Sequence, residues 1–109
     1  MSKAPELSVS DVFFALGDQT RLALVRTLGA GEALSATALS GNAKVTRQAI
    51  VKHLQVLEAA KLVVHQRRGK EVLYDLDPHR IEEARAFLAA ISAGWDHALV
   101  RLRSLVETA

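Results

Sequence analysis

Two short clusters in this 109-residue chain carry side chains able to grip or read a polyanion. The first is Thr46-Arg47-Gln48, with Val51 and Lys52 one turn later; the second is Arg67-Arg68-Gly69-Lys70. An arginine can donate two parallel hydrogen bonds to a guanine edge, a glutamine can pair with adenine, and valine methyls can meet the methyl of thymine. A lysine one turn further on suits a phosphate, and a threonine at a helix N-terminus can add a backbone contact. The net charge of +2 says little by itself, but its placement says more. Residues 1–43 sum to −1, residues 44–70 to +6 and residues 71–109 to −3. The middle block holds Lys44, Arg47, Lys52, Lys61, Arg67, Arg68 and Lys70 against the single acid Glu58. A basic segment between two acidic ones predicts a polyanion-binding face, the alternative being an ordinary solvated surface.

Periodicity decides what carries these clusters. Val9, Val12, Phe13 and Leu16 recur at helical spacing and predict a short first helix that stops at Gly17. Asp18 can cap a second helix through Leu28, with Leu22 and Val25 facing inward and Leu24 and Leu28 as further candidates; the Gly29-Ala30-Gly31 tract ends it. Ser35 can cap a third, short helix that Ser40-Gly41-Asn42 punctuates, and Thr46 then caps a fourth whose inner face is Ile50, Leu54 and Leu57. After Leu62 the pattern changes to two β-rich runs, 62–66 and 71–76, with Arg67-Arg68-Gly69-Lys70 between them; this predicts a hairpin with glycine at its tip. Asp77 and Pro78 suit the start of a last helix along which Ile81, Ala84, Leu88, Ile91, Trp95, Ala98, Leu102 and Leu105 alternate at spacings of three and four. Gly94 interrupts that series at about 1 kcal/mol relative to alanine, so the sequence allows either one rod or two helices meeting near 92–94.

Helix, helix, helix-turn-helix, hairpin and long helix is the order of a winged helix-turn-helix module, mainly α with a small two-stranded β wing. The reading is one domain over 1–109, with the helix-turn-helix at 33–60, the wing hairpin at 62–76 and dimerisation helices at 8–17 and 78–107. A core of this size leaves the stripes of the end helices without a partner, which predicts that two copies pair through Val12, Phe13, Leu16, Ile81, Ala84, Leu88, Ile91, Trp95 and Leu102. Arg67, Arg68 and Lys70 at a hairpin apex can enter a narrow minor groove or hold phosphates beside it; edge protection is the bland alternative.

Half of the residues are hydrophobic and 24% are charged, a folding composition. No apolar run approaches the roughly 18 residues of a membrane span, and Met-Ser-Lys-Ala-Pro-Glu lacks a signal-peptide core, so a soluble, cytoplasmic protein is expected. The absence of cysteine removes thiolate chemistry and disulfides together. There is no G-x-x-x-x-G-K, no G-x-S-x-G and no plausible pair of catalytic acids, so an enzyme is not expected.

The strings 14–22 (FALGDQTRL), 46–58 (TRQAIVKHLQVLE) and 72–78 (VLYDLDP) closely resemble the ArsR family of homodimeric bacterial transcriptional repressors, ungapped from about Val12 to Trp95. The resemblance implies that Thr46, Arg47 and Gln48 read bases of double-stranded DNA and that the first and last helices form a dimer. It also raises metal sensing, which the residues answer. Where the family's metal sensors carry a cysteine pair in the third helix, this chain has Leu34-Ser35-Ala36-Thr37-Ala38. Of the family's zinc set in the last helix it keeps Asp77 and His79 but has Ala90 and Ala93 where the other two ligands belong. Two ligands do not hold zinc well, so no metal and no cofactor are expected, and the chain is similar to the cysteine-free subgroup. His53 is expected to be a partly buried residue bonded to backbone, His97 a solvated one and Trp95 a dimer-core anchor. Lys61 stands where the family often has a left-handed glycine, and Gly41-Asn42 suggests a looser turn. Any small-molecule inducer is unknown, for no inducer pocket is visible in the sequence. The alternative function is a winged-helix protein-interaction module that binds an acidic partner without reading DNA sequence.

Overall fold

The structure is a computed structural model that describes residues 9–41 and 45–108. The opening hexapeptide, Asn42 of the third helix's turn and Lys44 of the basic block lie outside the described residues. The elements, in order, are α1 (Val9–Leu16), α2 (Gln19–Ala30), β1 (Leu34–Ser35), α3 (Ala36–Ser40), α4 (Arg47–Ala59), β2 (Val63–Arg68), β3 (Glu71–Leu76) and α5 (Pro78–Glu107).

Side-chain caps set most of the boundaries. Asp18 accepts the Arg21 N–H at 3.0 Å, Ser35 the Ala38 N–H at 3.1 Å, Thr46 the Ala49 N–H at 3.1 Å and Asp77 the His79 N–H at 3.0 Å. Each satisfies a donor that the first turn of a helix leaves without a partner. The Arg21 backbone bond holds the Asp18 carboxyl below its ordinary range, with the Arg21 and His53 side chains adding to the effect. The Arg21 side chain closes the end of α1: its Nε donates to the Ala15 carbonyl at 2.6 Å and its guanidinium lies over the Phe14 ring.

At the end of α4 the chain turns on Lys61, whose φ of +63° lies in the left-handed region. Its N–H donates to the Glu58 carbonyl at 2.9 Å, and the Leu62 N–H donates to that of Leu57 at 3.0 Å. These are the paired bonds of a Schellman terminator, formed here with lysine at the position that favours glycine. The turn delivers Leu62 and Val63, both fully buried, into the core and starts the wing.

That core comprises Val12 and Ala15 of α1, Leu24 and Leu28 of α2, Ala36 and Leu39 of α3, Ile50, Leu54 and Leu57 of α4, and Ala60, Leu62, Val63 and Ala84 beyond. Within α2 the inward face is Leu24 and Leu28, with Val25 packing partly on the core as expected; Leu22, also expected inside, is 43% exposed. Helical spacing admits both phases, and packing against α4 and the sheet selects the second. The two-stranded wing of β2 and β3 forms as expected, and β1 extends it to a three-stranded antiparallel sheet of order β1-β3-β2. Leu34 pairs with Tyr74 and Ser35 with Leu73, so two residues ahead of α3 cover an edge of β3 that would otherwise lie open. Gly69 makes the hairpin tip at φ +61°.

α5 runs unbroken for 30 residues through Gly94, where an added Cβ would meet nothing within 4 Å. Only its N-terminal part packs on the core, through Ile81 and Ala84, with Phe87 resting against Phe13 of α1 at 5.7 Å between ring centroids. Among the described residues no helix is long and apolar enough to cross a membrane.

Candidate nucleic-acid interface

α4 divides cleanly into two faces. Ile50, Leu54 and Leu57 are wholly buried, while Arg47, Gln48 and Lys52 are exposed on the other side. Thr46, holding the cap, puts the first turn of the helix at the surface with its orphan N–H groups directed outward. Val51 falls between the two faces: it is half-buried and packs partly on the core, which reduces the surface it can offer to a base.

An open groove of about 580 Å³ lies beside this helix tip, lined among others by Thr37 of α3, Arg47 and Val51 of α4, and Lys70, Glu71 and Tyr74 of the wing. Two cations expected from separate clusters thus share one groove. Across it the Arg47 Nε donates to the Thr37 hydroxyl at 3.1 Å. The pleat divides Arg67 from Arg68, because successive side chains of a strand point to opposite faces, while Lys70 lies in the turn between β2 and β3. Arg68 lines a different recess with Val64, Gln66 and Glu32 on the far side of the sheet. Arg67 folds back over the tip, its Nε donating to the Gly69 carbonyl at 3.3 Å. Of these cations, Lys70 lines the groove beside the helix tip.

Two histidines tie α4 to its surroundings through side chains. His53 Nδ1 lies 3.4 Å from Arg21 Nη1 and 3.8 Å from Asp18 Oδ2, so its partners are side chains of α2 and not the backbone expected for it. Glu58, near the other end of the helix, pairs with His65 of β2, joining α4 and the wing. Among the described residues no group of three or more His, Asp or Glu side chains converges to hold a metal ion.

The residues expected to pair two copies fall into two sets. Val12 and Ala84 are buried within the single chain and Ile81 and Leu16 pack partly on its core, so Val12 and Ala84 have no surface to offer a second copy. Leu88 (52% exposed), Ile91 (50%), Trp95 (59%) and Leu102 (56%) form a bare apolar stripe along α5, continued by Leu99, Leu105 and Val106. A smaller apolar recess of about 280 Å³ between α1 and the end of α4 is lined by Phe14, Ala15, Val56 and Ala60; it falls at the lower edge of ordinary ligand-pocket sizes.

Sequence reasoning missed Thr37, which belongs with Arg47 although ten residues separate them. The available signal was its place in the first turn of α3, opposite the tip of α4.

Comparison with known proteins places these features. A helix-turn-helix domain model matches residues 16–66. The chain is 34% identical over 94 residues to the HTH-type transcriptional regulator Rv2034 of Mycobacterium tuberculosis (strain ATCC 25618 / H37Rv), covering 86% of this chain and 84% of that one. Among solved structures it is similar to an ArsR-like transcriptional regulator from Rhodococcus sp. RHA1, with 34% identity, a TM-score of 0.71, and 89% and 91% of the two chains covered.

Proposed function

The chain belongs to the ArsR-like family of winged helix-turn-helix transcriptional regulators, and from that premise we propose that it acts as a homodimeric repressor reading a palindromic operator. The observation that carries this reading is the shared groove: Arg47 at the tip of α4 and Lys70 of the wing line one concave surface, with Gln48 and Lys52 exposed beside it. A helix presented this way enters a major groove by its N-terminal residues, where Arg47 meets guanine, Gln48 meets adenine and Thr46 and Lys52 meet phosphates. The wing tip, with Arg67, Arg68 and Lys70, follows the adjacent minor groove and its phosphates.

The bare stripe on α5 supports pairing. The radius of gyration is 18.4 Å, against about 13 Å for a compact domain of this length, because the second half of α5 projects from the core. An apolar helix face in that position is stabilised by a second copy, and a twofold pair carries two reading heads matched to inverted half-sites. The residues left for that contact are Phe13, Leu88, Ile91, Trp95 and Leu102. A repressor of this kind needs no catalytic group, in keeping with relatives that are regulators.

Selection from a random duplex pool tests the reading. The expected product is an inverted repeat with half-site centres about 34 Å apart, bound in proportion to counterion release. Arg47→Ala should lose about 1–3 kcal/mol at one base pair of each half-site. Uniform weak binding with no enriched sequence would instead favour a winged-helix module that binds an acidic protein partner.

A further inference from the structure

We propose that Thr37 is a positioning residue for the base-reading arginine: by accepting the Arg47 Nε–H, it leaves the two terminal amino groups of the guanidinium as the edge that meets a guanine. The proposal rests on the reading of Arg47 given above and adds how its geometry is chosen. A guanidinium has five N–H donors in one plane and can present two different bidentate edges to the O6 and N7 of guanine: the side edge, Nε with one terminal nitrogen, or the end edge, both terminal nitrogens. The 3.1 Å bond from Nε to the Thr37 hydroxyl occupies the side edge and fixes the plane in which the end edge lies.

The hydroxyl is well placed for this because its own helix is held on three sides. Ala36 and Leu39 are buried in the core on either side of it. Ser35 caps the helix at 3.1 Å and pairs with Leu73 of the sheet, and the Ser40 hydroxyl donates to the Thr37 carbonyl at 2.9 Å. Arg47, by contrast, is an exposed side chain with many rotamers, whose ordering on binding carries an entropic cost that an existing bond reduces. A neutral partner has a further advantage. Among the described residues no carboxylate lies within ion-pair distance of Arg47, so the guanidinium is oriented without being neutralised and keeps its charge for DNA.

The test compares wild type, Thr37→Val, Thr37→Ser, Arg47→Ala and the Thr37→Val/Arg47→Ala double variant at one ionic strength. Each is titrated with the duplex selected by the wild type, with its single-base-pair variants and with random duplex. Thr37→Val should weaken the preferred duplex by roughly 3- to 10-fold and flatten the preference at the same base pair that Arg47→Ala flattens, with binding to random duplex unchanged. Thr37→Ser should restore both, and Thr37→Val should have no further effect once Arg47 is gone. In the free protein the Arg47 Nε–H, followed by NMR, should be protected from exchange in wild type and Thr37→Ser and lose that protection in Thr37→Val. A full preference retained by Thr37→Val, or an equal loss in the Arg47→Ala background, overturns the positioning role while leaving the DNA reading intact. A wild type that prefers no duplex overturns the DNA reading and the role with it, even where the Nε–H remains protected.

Discussion

Replacing Lys61 by glycine should stabilise the protein. Lys61 holds φ +63°, where a residue with a Cβ is disfavoured by about 1–2 kcal/mol, and glycine is not. Glycine also gains about 0.4–1 kcal/mol of freedom in the unfolded chain, which offsets part of the relief. The difference leaves about 0.5–1 kcal/mol in favour of Lys61→Gly, or about 2–8 °C in Tm for a domain of this size. Nothing opposes the change at the side chain, since Lys61 is exposed and takes part in no ion pair among the described residues. The assay is urea unfolding at one fixed protein concentration, because association would link stability to concentration. The midpoint should rise with an unchanged slope, and Lys61→Ala, which keeps the strained φ, should stay within about 0.5 kcal/mol of wild type. DNA affinity should not change, because the terminator's two hydrogen bonds are backbone bonds that glycine also makes. A lower midpoint for Lys61→Gly would mean that the left-handed turn is not the source of strain that the φ of Lys61 implies.

Other perturbations follow from the same contacts. Asp18 has a lowered pKa in the folded state, so its contribution is complete above the ordinary carboxylate range and is lost as pH falls through its folded value. Asp18→Asn keeps the cap but removes the titration, and should flatten the loss of stability below about pH 4 as followed by thermal unfolding across pH. Leu88→Asp places a charge in the bare stripe of α5 and should yield folded monomers by sedimentation, with operator binding lost; a dimeric Leu88→Asp would move the interface elsewhere. Lys70→Ala should weaken binding to all duplexes and lower the salt slope by about 1, while Arg68→Ala, on the far face of the sheet, should do less in the same salt titration.

The parts of the fold legible in the sequence were those written in local chemistry. Four polar residues, Asp18, Ser35, Thr46 and Asp77, announced four helix starts because a cap is a contact over two or three residues. The hairpin was announced by two β-rich runs around a glycine. What stayed hidden depended on distant partners. A two-residue strand has no periodicity, so β1 could not be read until β3 lay beside it. Leu22 and Leu24 offered α2 two equally helical phases, and only the packing of other elements chose between them. Val12 and Ala84 look like interface residues on a lone helix because sequence cannot tell a chain's own core from that of a second copy. At the candidate site, the clusters named their residue types but not their neighbours: Arg68 and Lys70, two residues apart, line different recesses, and Thr37 meets Arg47 across ten residues.

If two copies of the α4 tip, held at a fixed separation, read DNA by sequence, competition between the selected inverted repeat and a shuffled duplex of equal length, with the mass of the bound species measured at the same salt, should give two chains per duplex and a preference of about a thousandfold or more for the repeat. One chain per duplex, or affinities for the two duplexes that agree within about tenfold, would mean that the two tips do not read DNA together.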